Sequence, residues 1–141
     1  MMAYGLANYK SDLVAAVASV SGVMLDCTGS ISHPMPIVHL HGTSDAVVSY
    51  NGSNDWNSVQ STLDYWTSFN NTISTPTINT DNTGGMTIEH YSYEQGDNSV
   101  SVEHYKYIGG DHVWFNEPYQ GQNASELVWN FMSKYDINGL R

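Results

Sequence analysis

The chain is poor in cysteine, in basic residues and in long apolar runs, and each shortage removes a class of protein. Cys27 is the one cysteine in 141 residues, which excludes an internal disulfide framework and a cysteine-rich zinc site. Its simplest place is as a small unpaired interior residue. Four Lys and Arg stand against 14 Asp and Glu, a formal net charge of -10. That field repels phosphate backbones and anionic headgroups, so neither nucleic acid nor a membrane surface is expected as a partner. No segment approaches the roughly 20 apolar residues needed to cross a bilayer. The opening Met1-Met2-Ala3-Tyr4 has no basic region followed by an apolar run, so any export signal is expected upstream of it. Few lysines with abundant Asn, Ser, Thr and Tyr suit an exported protein, secreted or periplasmic, or a salt-tolerant one.

What is present is enough for one domain over residues 1–141, since 40% of the residues are hydrophobic and can fill a moderate core. Met2, Leu6 and Tyr9 fall near one helical face and predict a helix over Met1–Tyr9. The apolar run Val14–Val20 predicts a strand buried on both faces, and Pro36–His41 a second short one stopped by Gly42. Val59, Leu63, Trp66 and Phe69 recur at helical spacing and predict a helix over Ser58–Phe69, with Asp55 or Asn57 as its cap. Asn70–Gly85, rich in Asn, Thr, Pro and Gly, reads as a loop. Thr87–Glu94 and Val100–Ile108 alternate polar with aromatic or branched residues around Gln95-Gly96-Asp97-Asn98, a hairpin pattern. Asn123 and Glu126 form a capping box for a last helix over Ala124–Tyr135. This order predicts the α/β class, with an incomplete doubly wound, mostly parallel sheet, flanking helices and one hairpin.

Two segments carry the chemistry. His41-Gly42-Thr43-Ser44-Asp45 follows a predicted strand, and Gly109-Gly110-Asp111-His112-Val113-Trp114 follows a later one. Side chains at the carboxyl ends of strands in such sheets face the ligand crevice. An acid followed by a histidine matches the last two members of a nucleophile, acid, histidine order. Histidine can take a hydroxyl proton near neutral pH, and a carboxylate on its other nitrogen fixes the tautomer and stabilises the imidazolium.

The runs His41–Gly52 and Gly109–Trp114, with Val17–Gly22 and Val128–Asp136, resemble polyhydroxybutyrate-depolymerase-like and feruloyl-esterase-like carboxylesterases of the α/β-hydrolase fold. The resemblance runs over nearly the whole chain. It implies a carboxylic ester hydrolase in which Asp45 is the triad acid, His112 the general base and Trp114 part of the substrate-binding rim, with no cofactor. It also implies a Gly-x-Ser-x-Gly nucleophile elbow just before the first helix, and no such motif occurs in the chain. The oxyanion-hole donors of that region are missing with it. The chain thus corresponds to the C-terminal half of such a domain, and its nucleophile is unknown.

Within the chain, Ser44 and Ser21 are the candidate nucleophiles. Ser44 lies in Gly42-Thr43-Ser44-Asp45-Ala46, which has Ala where the elbow has its last Gly, and no obvious helix start follows. Ser21 ends a predicted strand. Three functional classes follow: an ester hydrolase that needs an N-terminal half, a non-catalytic module that binds a partner or self-associates, and an esterase site rebuilt between subunits. A half-sheet with an open edge predicts a homo-oligomer. His39, His41 and Asp45 share a strand and its loop at a spacing that zinc could use, though a structural place for His41 in the acid loop is the simpler reading, and no metal is expected. His33, His90 and His104 have no ligand spacing and are expected on the surface or in the hairpin. Tyr91, Tyr93, Tyr105, Tyr107, Phe115 and Tyr119 are expected to pack across strands rather than to form a binding platform.

Overall fold

The computed structural model describes residues 1–26 and 29–141, so the place foreseen for Cys27 lies outside the described residues. Among the described residues three α-helices, α1 (Met2–Tyr9), α2 (Val59–Phe69) and α3 (Ala124–Met132), surround a five-stranded sheet. Its strands are β1 (Val17–Val20), β2 (Ile37–Gly42), β3 (Thr77–Asp81), β4 (Ile88–Tyr93) and β5 (Val102–Tyr107). The spatial order is β1-β2-β5-β4-β3. β1, β2 and β5 run parallel, whereas β4 is antiparallel to β5 and β3 to β4. The chain is therefore α/β with a mixed sheet, in which the parallel part is confined to three strands.

Alternation along β2 and β5 explains why helices cover both faces. Ile37 and Val102 join Tyr4, Ala7, Leu63 and Trp66 in one core beneath α1 and α2. Val38, Leu40, Tyr105 and Tyr107 join Phe115, Leu127 and Phe131 in the other beneath α3. Because β2 has apolar partners on both sides, all six of its residues are buried, His39 and His41 included. Successive side chains on a strand point to opposite faces, so both histidines lie in the α1/α2 core.

Three expectations need correction. The segment Asn70–Gly85 is not all loop: β3 runs through it as an edge strand. Four of its five residues are exposed, so it carries none of the hydrophobic alternation by which strands are recognised, and backbone pairing with β4 holds it. The cap of α2 is neither Asp55 nor Asn57 but Ser58, whose hydroxyl accepts from Ser61 N at 3.0 Å. The last helix stops at Met132, and Tyr135–Asp136 instead pairs with Gly139–Leu140 in a small ladder. The capping box itself forms as the sequence predicts, with Asn123 and Glu126 exchanging hydrogen bonds.

Candidate active site

Because β1, β2 and β5 are parallel, their carboxyl ends meet on one side of the sheet. From those ends leave Ser21, the acid loop Thr43–Asp45 and the histidine loop Ile108–His112. Two glycines let the second and third of these touch. A Cβ on Gly42 would fall inside the Gly110 carbonyl, and one on Gly110 would lie 3.2 Å from the Gly42 Cα. The contact is tied by backbone and side-chain hydrogen bonds: Thr43 N to Tyr107 O at 2.9 Å, Ser44 N to Gly110 O at 2.9 Å and Gly109 N to Thr43 Oγ1 at 2.8 Å. Gly42→Ala is expected to lower stability by about 2–3 kcal/mol, as an overpacked site does, and to push the two loops apart. A urea midpoint equal to that of the parent chain would show that the close approach is dispensable.

The loops place the carboxylate of Asp45 among four donors. Oδ1 accepts from Val47 N at 2.9 Å and from Val48 N at 2.7 Å. Oδ2 lies 2.9 Å from His112 Nδ1 and 3.2 Å from His41 Nε2. Burial pushes the Asp45 carboxyl up, but the Val48 N–H, the His112 ring and the Val47 N–H together bring it below the ordinary aspartate range. The ionised carboxylate can only accept, so the His112 proton sits on Nδ1 and the lone pair on Nε2. That Nε2 has no hydrogen-bond partner among the described residues, and the side chain is 39% exposed. A histidine so held can take a proton from a hydroxyl brought to Nε2.

The neighbouring residues shape the surroundings of His112. Trp114 is 55% exposed, and its Nε1 donates to Ser125 Oγ in the first turn of α3 at 3.1 Å. Phe115 is buried and stacks on Tyr107 at the end of β5, with ring centroids 3.8 Å apart. The histidine loop thus runs between a buried anchor and an exposed tryptophan. Ser21 is buried, adopts φ +52°, and donates its hydroxyl to Val113 O at 2.9 Å, which ties the end of β1 to the histidine loop. Ser44 is exposed. Both serines lie at the same end of the sheet as the pair, but neither hydroxyl hydrogen-bonds to His112.

Sequence reasoning places His39 and His41 on one face but does not reveal what they meet there. Their nearest nitrogens face each other at 3.1 Å, and Tyr4 Oη lies 2.5 Å from His39 Nδ1. His104, expected at the surface or in the hairpin, is on a hairpin strand but is buried at 1% exposure, edge-on to His39. The alternation of β5 could have signalled this, since His104 is in phase with buried Val102. Among the described residues no group of three or more His, Cys, Asp or Glu is arranged to hold a metal ion. The hairpin aromatics stack within the fold: Tyr105 lies against His90 at 4.3 Å and edge-on to Tyr119 at 5.2 Å. No protein-family model matches the chain, and no curated protein matches it.

Proposed function

We propose that this chain supplies the acid and the general base of a serine carboxylic ester hydrolase whose nucleophile lies outside these 141 residues. The observation that carries the reading is the Asp45 Oδ2 to His112 Nδ1 contact at 2.9 Å, with Nε2 left open at the carboxyl ends of parallel strands. A serine brought to Nε2 would give its proton to His112 while its oxygen attacks the ester carbonyl. His112 would pass that proton to the departing alcohol, leaving an acyl-enzyme. Water would then attack the acyl carbon, giving its proton to His112, which returns it to the serine oxygen as the acid leaves. Asp45 holds the ring in the Nδ1–H tautomer throughout, and no cofactor is needed. In this reading the sheet is the C-terminal half of an α/β-hydrolase sheet, continued beyond β1 by the half that bears the serine, and Trp114 borders the substrate.

The test is complementation. Mixed and refolded with the N-terminal half of a depolymerase-type esterase carrying Gly-x-Ser-x-Gly, the chain is expected to hydrolyse p-nitrophenyl acetate. The His112→Ala chain in the same mixture should not. Activity that survives His112→Ala would overturn the reading. Hydrolysis by the chain alone, lost in His112→Ala, would instead place the nucleophile at Ser44 or Ser21 in a site rebuilt between subunits, and a fluorophosphonate would then label the chain.

The edge of the sheet favours a second reading, in which the chain by itself is a self-associating module. Among the described residues β1 has a pairing strand on one side alone. Beside it, α1 exposes Met2, Leu6 and Tyr9, at 84%, 43% and 58%, on one helical face. An apolar groove lined by Leu6, Val14, Ala16, Ala18 and Met132 runs along that edge. An open strand edge beside uncovered apolar surface drives association, so light scattering is expected to report a dimer or larger species. A monomer at high concentration would count against this second reading.

A further inference from the structure

Behind Asp45 the donors can point in one direction only. Asp45 Oδ2 and Val48 O both accept, and both lie within reach of His41 Nε2, at 3.2 and 2.9 Å, so the His41 proton sits on Nε2. His41 is fully buried, and burial opposes a second proton. Its Nδ1 therefore keeps a lone pair, which accepts from His39 Nε2–H at 3.1 Å. His39 is likewise fully buried and touches no carboxylate. Its Nδ1 in turn accepts from the Tyr4 hydroxyl at 2.5 Å. Of the other groups facing this row, the N-terminal amine is charged and, like His104, opposes a second proton on His39; His104 and Tyr50 are neutral. His104 donates Nδ1–H to His39 O at 2.9 Å and takes the Tyr50 hydroxyl on Nε2 at 2.9 Å. Tyr50 also lies edge-on to His41.

We propose that Tyr4, His39 and His41 form a one-way chain of donors ending on Asp45 Oδ2 and act as positioning residues for the Asp45–His112 pair. The role rests on reading that pair as acid and base. His41 shares its Nε2–H between Val48 O at 2.9 Å and Oδ2 at 3.2 Å, so a carboxylate that rotates away from His112 gives up this contact as well as the one to His112. It also disperses the negative charge that His112 feels. Tyr4 leaves from α1, so the chain of donors couples the position of that helix to the orientation of the acid.

The test uses the full chain labelled with ¹⁵N-histidine, with tautomers read from long-range ¹H–¹⁵N correlations near pH 7. His39 and His41 are expected as neutral Nε2–H tautomers and His104 as Nδ1–H. An Nδ1–H or doubly protonated ring at His39 or His41 would overturn the direction of the chain. His41→Leu removes a donor from Oδ2 and is expected to raise the titration midpoint of His112 by roughly half to one pH unit. His41→Gln, whose side-chain N–H reaches the place of Nε2, should restore it. An unmoved midpoint in His41→Leu would overturn the positioning role. Tyr4→Phe keeps the ring against His39 and Trp66 and should free the His39 Nδ1 lone pair, so an unchanged Nδ1 resonance would remove Tyr4 from the chain of donors. None of these readouts needs an ester or a serine, so they stand apart from the outcome of the complementation test.

Discussion

Lowering the pH from 7 to 5 is expected to remove about 4 kcal/mol of folding stability. His39 and His104 are buried to 0% and 1% exposure. Burial holds His39 well below the usual histidine range and lowers His104 to about 3. In the unfolded chain both would titrate near ~6.5. Between that value and their folded values the unfolded state binds more protons, so stability falls as the pH falls, by about 1.4 kcal/mol per pH unit for each ring. It is fully present above the unfolded value. His41, lowered in the same sense, adds to the loss, whereas the stability that Asp45 supplies, its carboxyl held below the ordinary aspartate range, is present above about pH 4 and is lost only below it. A domain of this size is stable by about 5–15 kcal/mol, so acid alone should remove between roughly a quarter and most of that stability. Urea unfolding at pH 7, 6 and 5 would show the decline. A stability constant over that range would mean that the rings are not buried neutral.

Asp45→Asn is expected to lower kcat of the complemented enzyme by about 10⁴-fold. The two backbone N–H groups of Val47 and Val48 fix the orientation of the side chain, because they can meet only an oxygen. The amide NH₂ would then face His41 Nε2–H and His112 Nδ1–H, donor against donor. His112 can relieve the clash only by moving its proton to Nε2, the atom that must be free to act as a base. The same change is visible without substrate, as a switch of His112 from the Nδ1–H to the Nε2–H tautomer. Retention of Nδ1–H in Asp45→Asn, with activity near that of the parent, would remove Asp45 from the role of orienting acid.

The legible parts of this chain are those in which a local pattern and a tertiary contact require the same residue. The capping box of α3, the apolar spacing of α2 and the alternation of β4 and β5 each predict an element that forms. Gly42 and Gly110 flank the acid and histidine segments, and the structure shows why, since only glycine lets the two loops touch. The edge strand β3 was illegible because its exposed Thr, Asn and Ile side chains bury almost nothing, and pairing energy from the backbone leaves no mark on residue type. The histidine row was half legible. His39 and His41 at spacing two fix a shared face, but whether that face meets a metal, water or another ring depends on Tyr4, 35 positions away from His39. Short-range pattern cannot supply such a contact. The same limit applies to Ser21, whose hydroxyl is committed to Val113 on a loop 92 positions away.

The central claim is that His112 is the base of an ester hydrolase, and the most direct measurement is the pH dependence of kcat/KM in the complemented enzyme set against the titration of His112 followed by NMR in the same assembly without substrate. Activity is expected to rise through a single ionisation whose midpoint coincides with that of His112, and both midpoints are expected to move together in His41→Leu. A kinetic midpoint that differs from that of His112, or stays in place when the His112 midpoint moves, would contradict it.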